Sequence, residues 1–300
     1  MKRREFFKDT GLVAIGIGVL GKVSWSNDRY VGDTPTTTDL LGPYYRPGAP
    51  ARININAKGY TGKQFHISGT VFKPDGKTPY KDCTIEIWQC DENEIYDNLS
   101  PDYNYRGRQT TGADGKYHFI GMHPIPYPVM PGSPLMRPAH IHLLVSAPGQ
   151  QDLITQIYLE GDPHLKKDIG AKSPDAVKRI LKISRNSRNE EAINFDIVMA
   201  KEFKPDNAAF EKLTGVYKMN DGSIMEFYRK NDFLFLKWNS QIWEGLSYKG
   251  NNNFSGGADK STIANFELLS NGSVKVKVNV MSILKGEMNL EGEKVFEYGS

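Results

Sequence analysis

From His66 onward the chain breaks into short apolar runs, each closed by a turn signal, and this rhythm most restricts its fold. His66-Ile67-Ser68-Gly69-Thr70-Val71-Phe72 reads as a strand, followed by the turn Pro74-Asp75-Gly76-Lys77. Cys83 to Trp88 alternates, with Cys83, Ile85 and Ile87 on one face and Thr84, Glu86 and Trp88 on the other. Asp114-Gly115 predicts a hairpin turn into Lys116-Tyr117-His118-Phe119-Ile120. Ala139 to Ala147, Leu153 to Leu159 and Phe195 to Met199 continue the series. The pattern predicts an all-β chain with an antiparallel β-sandwich as its core. One helix is expected, capped by Ser173 with Pro174 at its first position and Val177, Ile180 and Leu181 on one face.

Flanking segments divide the 300 residues further. Residues 1–26 read as an export signal: Lys2-Arg3-Arg4 before an apolar run from Gly11 to Leu20. The run falls short of the ~20 apolar residues of a membrane span. The adjacent arginines before Phe6-Phe7-Lys8 look like a twin-arginine signal, so a periplasmic or extracellular location is expected, with no membrane span in the mature form. Asp33 to Pro50 is rich in Thr and Pro and reads as an extended arm wrapping residues 27–203. Composition shifts near Lys201 to Asn207. Residues 204–300 then form a second β unit, an up-and-down meander or partial barrel that loosely resembles lipocalin-like modules. It is expected to serve as a structural or docking module.

Composition removes several function classes. A net charge of +3 without a basic block beyond the N-terminus gives no support to nucleic-acid binding. Two cysteines exclude a disulfide framework and a cysteine-based zinc site. Cys83 and Cys90 are an odd number of residues apart on one predicted strand and should not bridge each other. Within Arg137-Pro138-Ala139-His140-Ile141-His142, strand alternation sends both imidazoles to one side, a natural half of a metal site. An anionic ligand would have to complete it. Asp162 and Glu160 are the carboxylate candidates, giving a two-His-one-carboxylate centre. Tyrosinate, from any of the 15 tyrosines, is the other option.

Several segments in order carry a family resemblance: Leu41-Gly42-Pro43-Tyr44-Tyr45; Glu86-Ile87-Trp88-Gln89 with Tyr96 beyond it; Asp114-Gly115-Lys116-Tyr117; Pro124-Ile125-Pro126-Tyr127; Arg137 to His142; and Thr155-Gln156-Ile157-Tyr158. Together they resemble the intradiol ring-cleavage dioxygenases, the group of the catechol and protocatechuate enzymes, over roughly Thr36 to Asp168. The resemblance implies one non-haem Fe(III) per chain, held by Tyr96, Tyr127, His140 and His142. Tyr96 and His140 would stay in place, while Tyr127 and His142 would be axial. It implies a small aromatic diol and O2 as substrates, and ring opening between the two hydroxylated carbons to a muconate-type diacid. Tyr127, once displaced, would carry a proton; Arg137 would stabilise developing negative charge; Gln156 would lie near the reacting carbons. Two phenolates and a hydroxide balance a trivalent ion, leaving a neutral site that can be buried. The family usually places a small residue, often Gly, before the first ligand Tyr, where this chain has Glu94-Ile95. Pro128 to Met136 is expected to line the pocket mouth, and a homo-oligomer is compatible with all of this.

Two rivals remain at this level. Gly69 to Phe119 also fits a transthyretin-like or carboxypeptidase-regulatory-like binding module. Zinc or copper on the His pair with a carboxylate would give a hydrolase or another oxidase. His66, His118, His123 and His164 are expected to be structural or surface residues.

Overall fold

A computed structural model describes residues 23–26, 29–32, 35–130, 132–200, 207–230, 233–258, 261–282 and 285–297. Most of the expected export signal lies outside the described residues. Among those described, no helix is long and apolar enough to cross a membrane.

Two sheets face each other in the first part of the chain. The first has five strands in the order Ile180–Leu181, Leu153–Leu159, His140–Ser146, Thr84–Trp88, Arg106–Thr110. The second is centred on Gln64–Phe72, flanked by Lys116–Met122 on one side and by Glu191–Asn194 and Ile197–Val198 on the other. Phe65, Ile67, Ile85, Ile87, Phe119, Ile141, Leu143 and Val145 meet between them in one core. The alternating apolar residues legible in the sequence are these inward faces.

Three local expectations are corrected. Asp114-Gly115 does turn, with Gly115 at φ +67°, but it does not close a hairpin. Arg106–Thr110 pairs with Thr84–Trp88, whereas Lys116–Met122 pairs with Gln64–Phe72. The turn therefore carries the chain between sheets, and its glycine lets the backbone approach Val71 and Tyr80 where a Cβ would clash. The helix at Ser173 is a six-residue 3-10 helix, Pro174–Arg179. Ser173 caps it as expected, accepting from the Asp175 amide at 3.1 Å. Val177 is exposed, and Ile180–Leu181 pairs in parallel with Tyr158–Leu159. Finally, an α-helix, Asn207–Leu213, stands where sequence reading placed the end of a linker. Cys83 and Cys90 are both free and buried.

The second β unit is a closed barrel of eight antiparallel strands, from Gly215–Met219 to Gly286–Phe296, the last pairing with the first. Val274, Val276, Val278 and Val280 point inward, while Lys275 and Lys277 point out. Phe210 and Leu213 of the preceding helix pack with Tyr217, Phe227, Phe254 and Phe266 inside. An eight-stranded barrel is just wide enough for such side chains to fill it.

Barrel and sandwich are packed together. Phe233 and Phe235 face out of the barrel and are nevertheless buried, because they join Leu41, Tyr45, Trp88 and Ile154. Tyr45 lies between Trp88 and Phe235, with ring centroids 5.1 and 5.8 Å away. The fully buried Glu244 carboxylate accepts the Leu41 amide at 3.0 Å, tying barrel to arm. Upstream, the arm is sewn to the sandwich through Thr36 to Val198 and Asp39 to Ile154.

Burial pushes the Glu244 carboxyl up from 4.5 to about 8. The folded protein therefore holds a proton there that the unfolded chain releases, and stability falls as pH rises from 4.5 toward 8. Glu244→Gln should flatten this dependence: its melting temperature relative to wild type should rise between pH 5 and pH 8. Parallel melting curves for the two proteins would count against the assignment.

Candidate metal centre

Sheet register assembles the site. His140, His142 and Leu144 lie on the face opposite the core residues Ile141, Leu143 and Val145. His142 pairs with Gln156 on one neighbouring strand and Trp88 on the other, and His140 pairs with Tyr158. One sheet face therefore presents Trp88, His142 and Gln156 in a row, with His140 and Tyr158 beside them. Tyr127 and Arg137 face each other across a two-residue ladder, Tyr127–Pro128 against Met136–Arg137. Tyr96 comes from the loop after Trp88.

Four donor atoms converge. The Tyr96 and Tyr127 hydroxyls are 3.2 Å apart, the Tyr127 hydroxyl is 3.2 Å from His140 Nε2, and His140 Nε2 is 3.1 Å from His142 Nε2. His140 Nδ1 lies 2.7 Å from the Pro138 carbonyl, so it carries the ring proton and leaves the Nε2 lone pair directed into the cluster. Trp88 stacks on His142 at 4.9 Å, and Tyr44 on Tyr96 at 4.5 Å, fixing both rings.

All four groups are buried, and their electrostatics follow from that. Burial, then the neighbouring Tyr127, raises the Tyr96 phenol well above its ordinary value. Burial pushes Tyr127 up to about 12 against the opposing pull of Arg137. Burial and Arg137 push His140 down to about 3, and burial with His140 pushes His142 well below its usual range. Left to themselves the four groups stay neutral: two phenols and two imidazoles with lone pairs aimed at one point. A highly charged cation is what would ionise such phenols, and the set of two hard oxygens and two nitrogens fits iron(III). Among the described residues no three His, Cys, Asp or Glu converge as a metal site. Asp162 instead accepts the Ala139 amide at 2.8 Å, and Glu160 is exposed, so the carboxylate completion is not built.

Behind the cluster lies a network that sequence reading missed in part. Arg137 makes a fork with Asp168, Nε to Oδ2 at 2.8 Å and Nη2 to Oδ1 at 3.1 Å. Arg137 also donates to Gln156 Oε1 at 3.1 Å and to the Tyr158 hydroxyl at 3.3 Å. Tyr158 donates to Asp39 at 2.8 Å, and Arg179 pairs with Asp39. Gln156 Nε2 donates to the Leu40 carbonyl at 2.5 Å, which fixes the amide. Burial alone would raise the Asp168 carboxyl; Arg137 and the backbone amide of Ala171 hold it below its usual range. Tyr158 was legible, since it alternates with Gln156 on one strand. Asp39, Asp168 and Arg179 carry no local signal.

Of the other histidines, His66 is 3.0 Å from His118 and pairs with Glu190, and His123 pairs with Glu191. None of these contacts reaches the cluster.

The sequence profile of the family described as Dioxygenase matches residues 40–201, the segment that holds every one of these side chains except Asp39. The chain belongs to the intradiol ring-cleavage dioxygenase family. The relatives it resembles include hydroxyquinol 1,2-dioxygenase of Corynebacterium glutamicum, 33% identical over 182 residues, covering 55% of this chain and 58% of that protein. Catechol 1,2-dioxygenase 2 of Acinetobacter lwoffii is 33% identical over 194 residues, covering 56% of this chain and 69% of that one. Among solved structures, 3-chlorocatechol 1,2-dioxygenase from Rhodococcus opacus 1CP shares the fold, with a TM-score of 0.50 and 24% identity over 56% of this chain and 73% of that one. The chain spans 58% of the length of the first two curated relatives it matches. The family match ends before the barrel begins.

Where the family usually has a small residue, Glu94 sits at φ +66°. The turn is held by the Glu94 amide on the Asp91 carbonyl at 3.1 Å and the Ile95 amide on Asp91 Oδ1 at 2.8 Å. A left-handed glutamate costs about 1 kcal/mol relative to glycine. Glu94→Gly should therefore raise unfolding free energy by up to ~1 kcal/mol, measured by urea denaturation. In the same assay Asp168→Ala, which strands Arg137 in a dry site, should lose about 3 kcal/mol or more.

Proposed function

We propose that this chain is a non-haem iron(III) intradiol dioxygenase that opens a catechol-type ring between its two hydroxylated carbons. The observation that carries the reading is the convergence of two phenols and two imidazoles on one dry sheet face. Family membership favours it over the transthyretin-like binding module. Tyr96, Tyr127, His140 and His142 would hold the ion. The chemistry it supplies when bound is Lewis acidity toward the two diol oxygens, which lets the ring react with dioxygen. In the overall reaction one carbon–carbon bond of the ring breaks, both atoms of one O2 enter, and a muconate-type diacid leaves without any other reductant.

The protein's own groups have definite tasks. Tyr127 pairs with Arg137 across the ladder, and its phenol, once ionised by a bound ion, would take a proton from an arriving diol. Arg137, fully charged beside Asp168, faces negative charge as it grows on the ring. Gln156, Tyr158 and Asp168 hold its guanidinium plane, so no reorganisation is needed at the moment of reaction. The arm bounds the cluster on one side with Tyr44, which stacks on Tyr96 and meets Tyr127 edge-on. Export through the N-terminal Arg3-Arg4 signal belongs to the same proposal and would place this chemistry outside the cytoplasm.

The test is a visible spectrum with an iron assay, before and after anaerobic catechol, followed by oxygen uptake. A broad tyrosinate-to-iron band that moves to longer wavelength with catechol, and that Tyr96→Phe weakens, is expected. A protein that stays colourless after iron reconstitution would overturn the reading. Arg137→Gln should keep the band and lower kcat by roughly 10²–10³-fold, the usual effect of losing one preorganised charge-stabilising donor.

A further inference from the structure

A cleft of about 470 Å3 opens between sandwich and barrel, within the size range of small-molecule sites. Its inner wall is the far end of the hairpin that carries the site: Val129, Leu135 and Met136 line the cleft, while Tyr127 and Arg137 stand at the hairpin's base. Asp168 belongs to both places, lining the cleft and holding Arg137. The cleft therefore adjoins the Arg137–Asp168 pair, which stands behind the four donor groups. Its outer wall comes from the barrel, through Ala258, Ser261 and Met281. These residues lie beyond the family match, so this wall is not part of the matched family segment.

The wall is fixed in place. Glu244 and the buried pair Phe233 and Phe235 lock the barrel to the arm and to the Trp88 side of the site. The rim carries Lys167 and Lys172, both exposed and, among the described residues, without a carboxylate partner. Among the described residues that line the cleft, the one acidic group, Asp168, is already neutralised by Arg137. Its described lining is therefore mostly apolar along the barrel wall and carries two lysines at the rim.

We propose that the barrel is the specificity wall of the active site, and that it selects ortho-diols bearing a side arm that ends in a carboxylate. The ring occupies the metal centre, the arm lies along Met281 and Ser261, and the carboxylate meets Lys167 and Lys172. This rests on the ring-cleavage reading above and adds what that reading leaves open, the substituent on the ring.

The experiment uses the full iron-loaded chain and three probes: catechol, 3-(3,4-dihydroxyphenyl)propanoate and its methyl ester. Oxygen uptake gives kcat/KM, and anaerobic calorimetry gives Kd. Met281 is 39% exposed, so Met281→Trp should fill the cleft without disturbing the core. That variant should lose about tenfold in kcat/KM for both arm-bearing diols, with catechol changed by less than about twofold. Wild type should favour the propanoate over its ester by about tenfold, and the double variant Lys167→Glu, Lys172→Glu should abolish that preference through KM rather than kcat. Catechol turnover with no discrimination by either variant would overturn the barrel-wall proposal and leave ring cleavage standing. Calorimetric discrimination without turnover of any diol would overturn ring cleavage and leave the wall. Equal losses on all three probes would show a merely structural role for the barrel and sink the proposal.

Discussion

The structure depends on a strand with no wet face. His140–Ser146 is buried on both sides, its Ile141, Leu143 and Val145 in the sandwich core and its His140, His142 and Leu144 beneath arm and barrel. An antiparallel sheet of this kind commonly leaves one face to water. Here that face meets imidazoles, phenols, two arginines and two aspartates, and in a dry setting such groups are best answered by one another. The fork of Arg137 on Asp168, the Tyr158–Asp39–Arg179 chain and the fixed Gln156 amide are those answers. The four donor atoms at the cluster meet chiefly one another, and that convergence is the candidate metal centre.

The same dryness explains how much could be read from sequence. His140 and His142 were legible because strand alternation is local: once the segment is a strand, both rings must share a face. Tyr158 follows from the same rule applied to Gln156. Register then adds what alternation cannot, setting Trp88 and Gln156 beside His142 through two different neighbours. Asp39, Asp168 and Arg179 could not be found this way. Asp39 and Arg179 are 140 positions apart, and each is recognisable only through the partner it meets in the fold.

The misreadings are equally physical. Asp114-Gly115 has the composition of a hairpin turn, and composition specifies a reversal of the chain without specifying which sheet receives it. The segment after Ser173 has helical spacing, yet Ile180–Leu181 gains a parallel ladder with Tyr158–Leu159, and that edge pairing ends the helix after six residues. Asn207–Leu213 is too short to be stable alone; its burial of Phe210 and Leu213 in the barrel is what holds it. Glu94 shows the reverse case, where the departure from the family's small residue was visible but its consequence was not. The backbone keeps its left-handed turn and carries the strain, because Asp91 ties the loop from both sides.

The barrel changes meaning once its contacts are counted as part of this accounting. Phe233–Trp238 is buried at four successive residues, two inside the barrel and two against the site. Gly245 takes the place where any side chain would strike Ile154 on the strand that carries Gln156. A sandwich stripped of the barrel would expose Tyr45, Trp88 and Ile154, and with them the rings that support His142. The wall that bounds the cleft is thus the same body that helps bury the face of the candidate metal centre, so an altered barrel surface would reshape the cleft alone only while its inner contacts with the arm are kept.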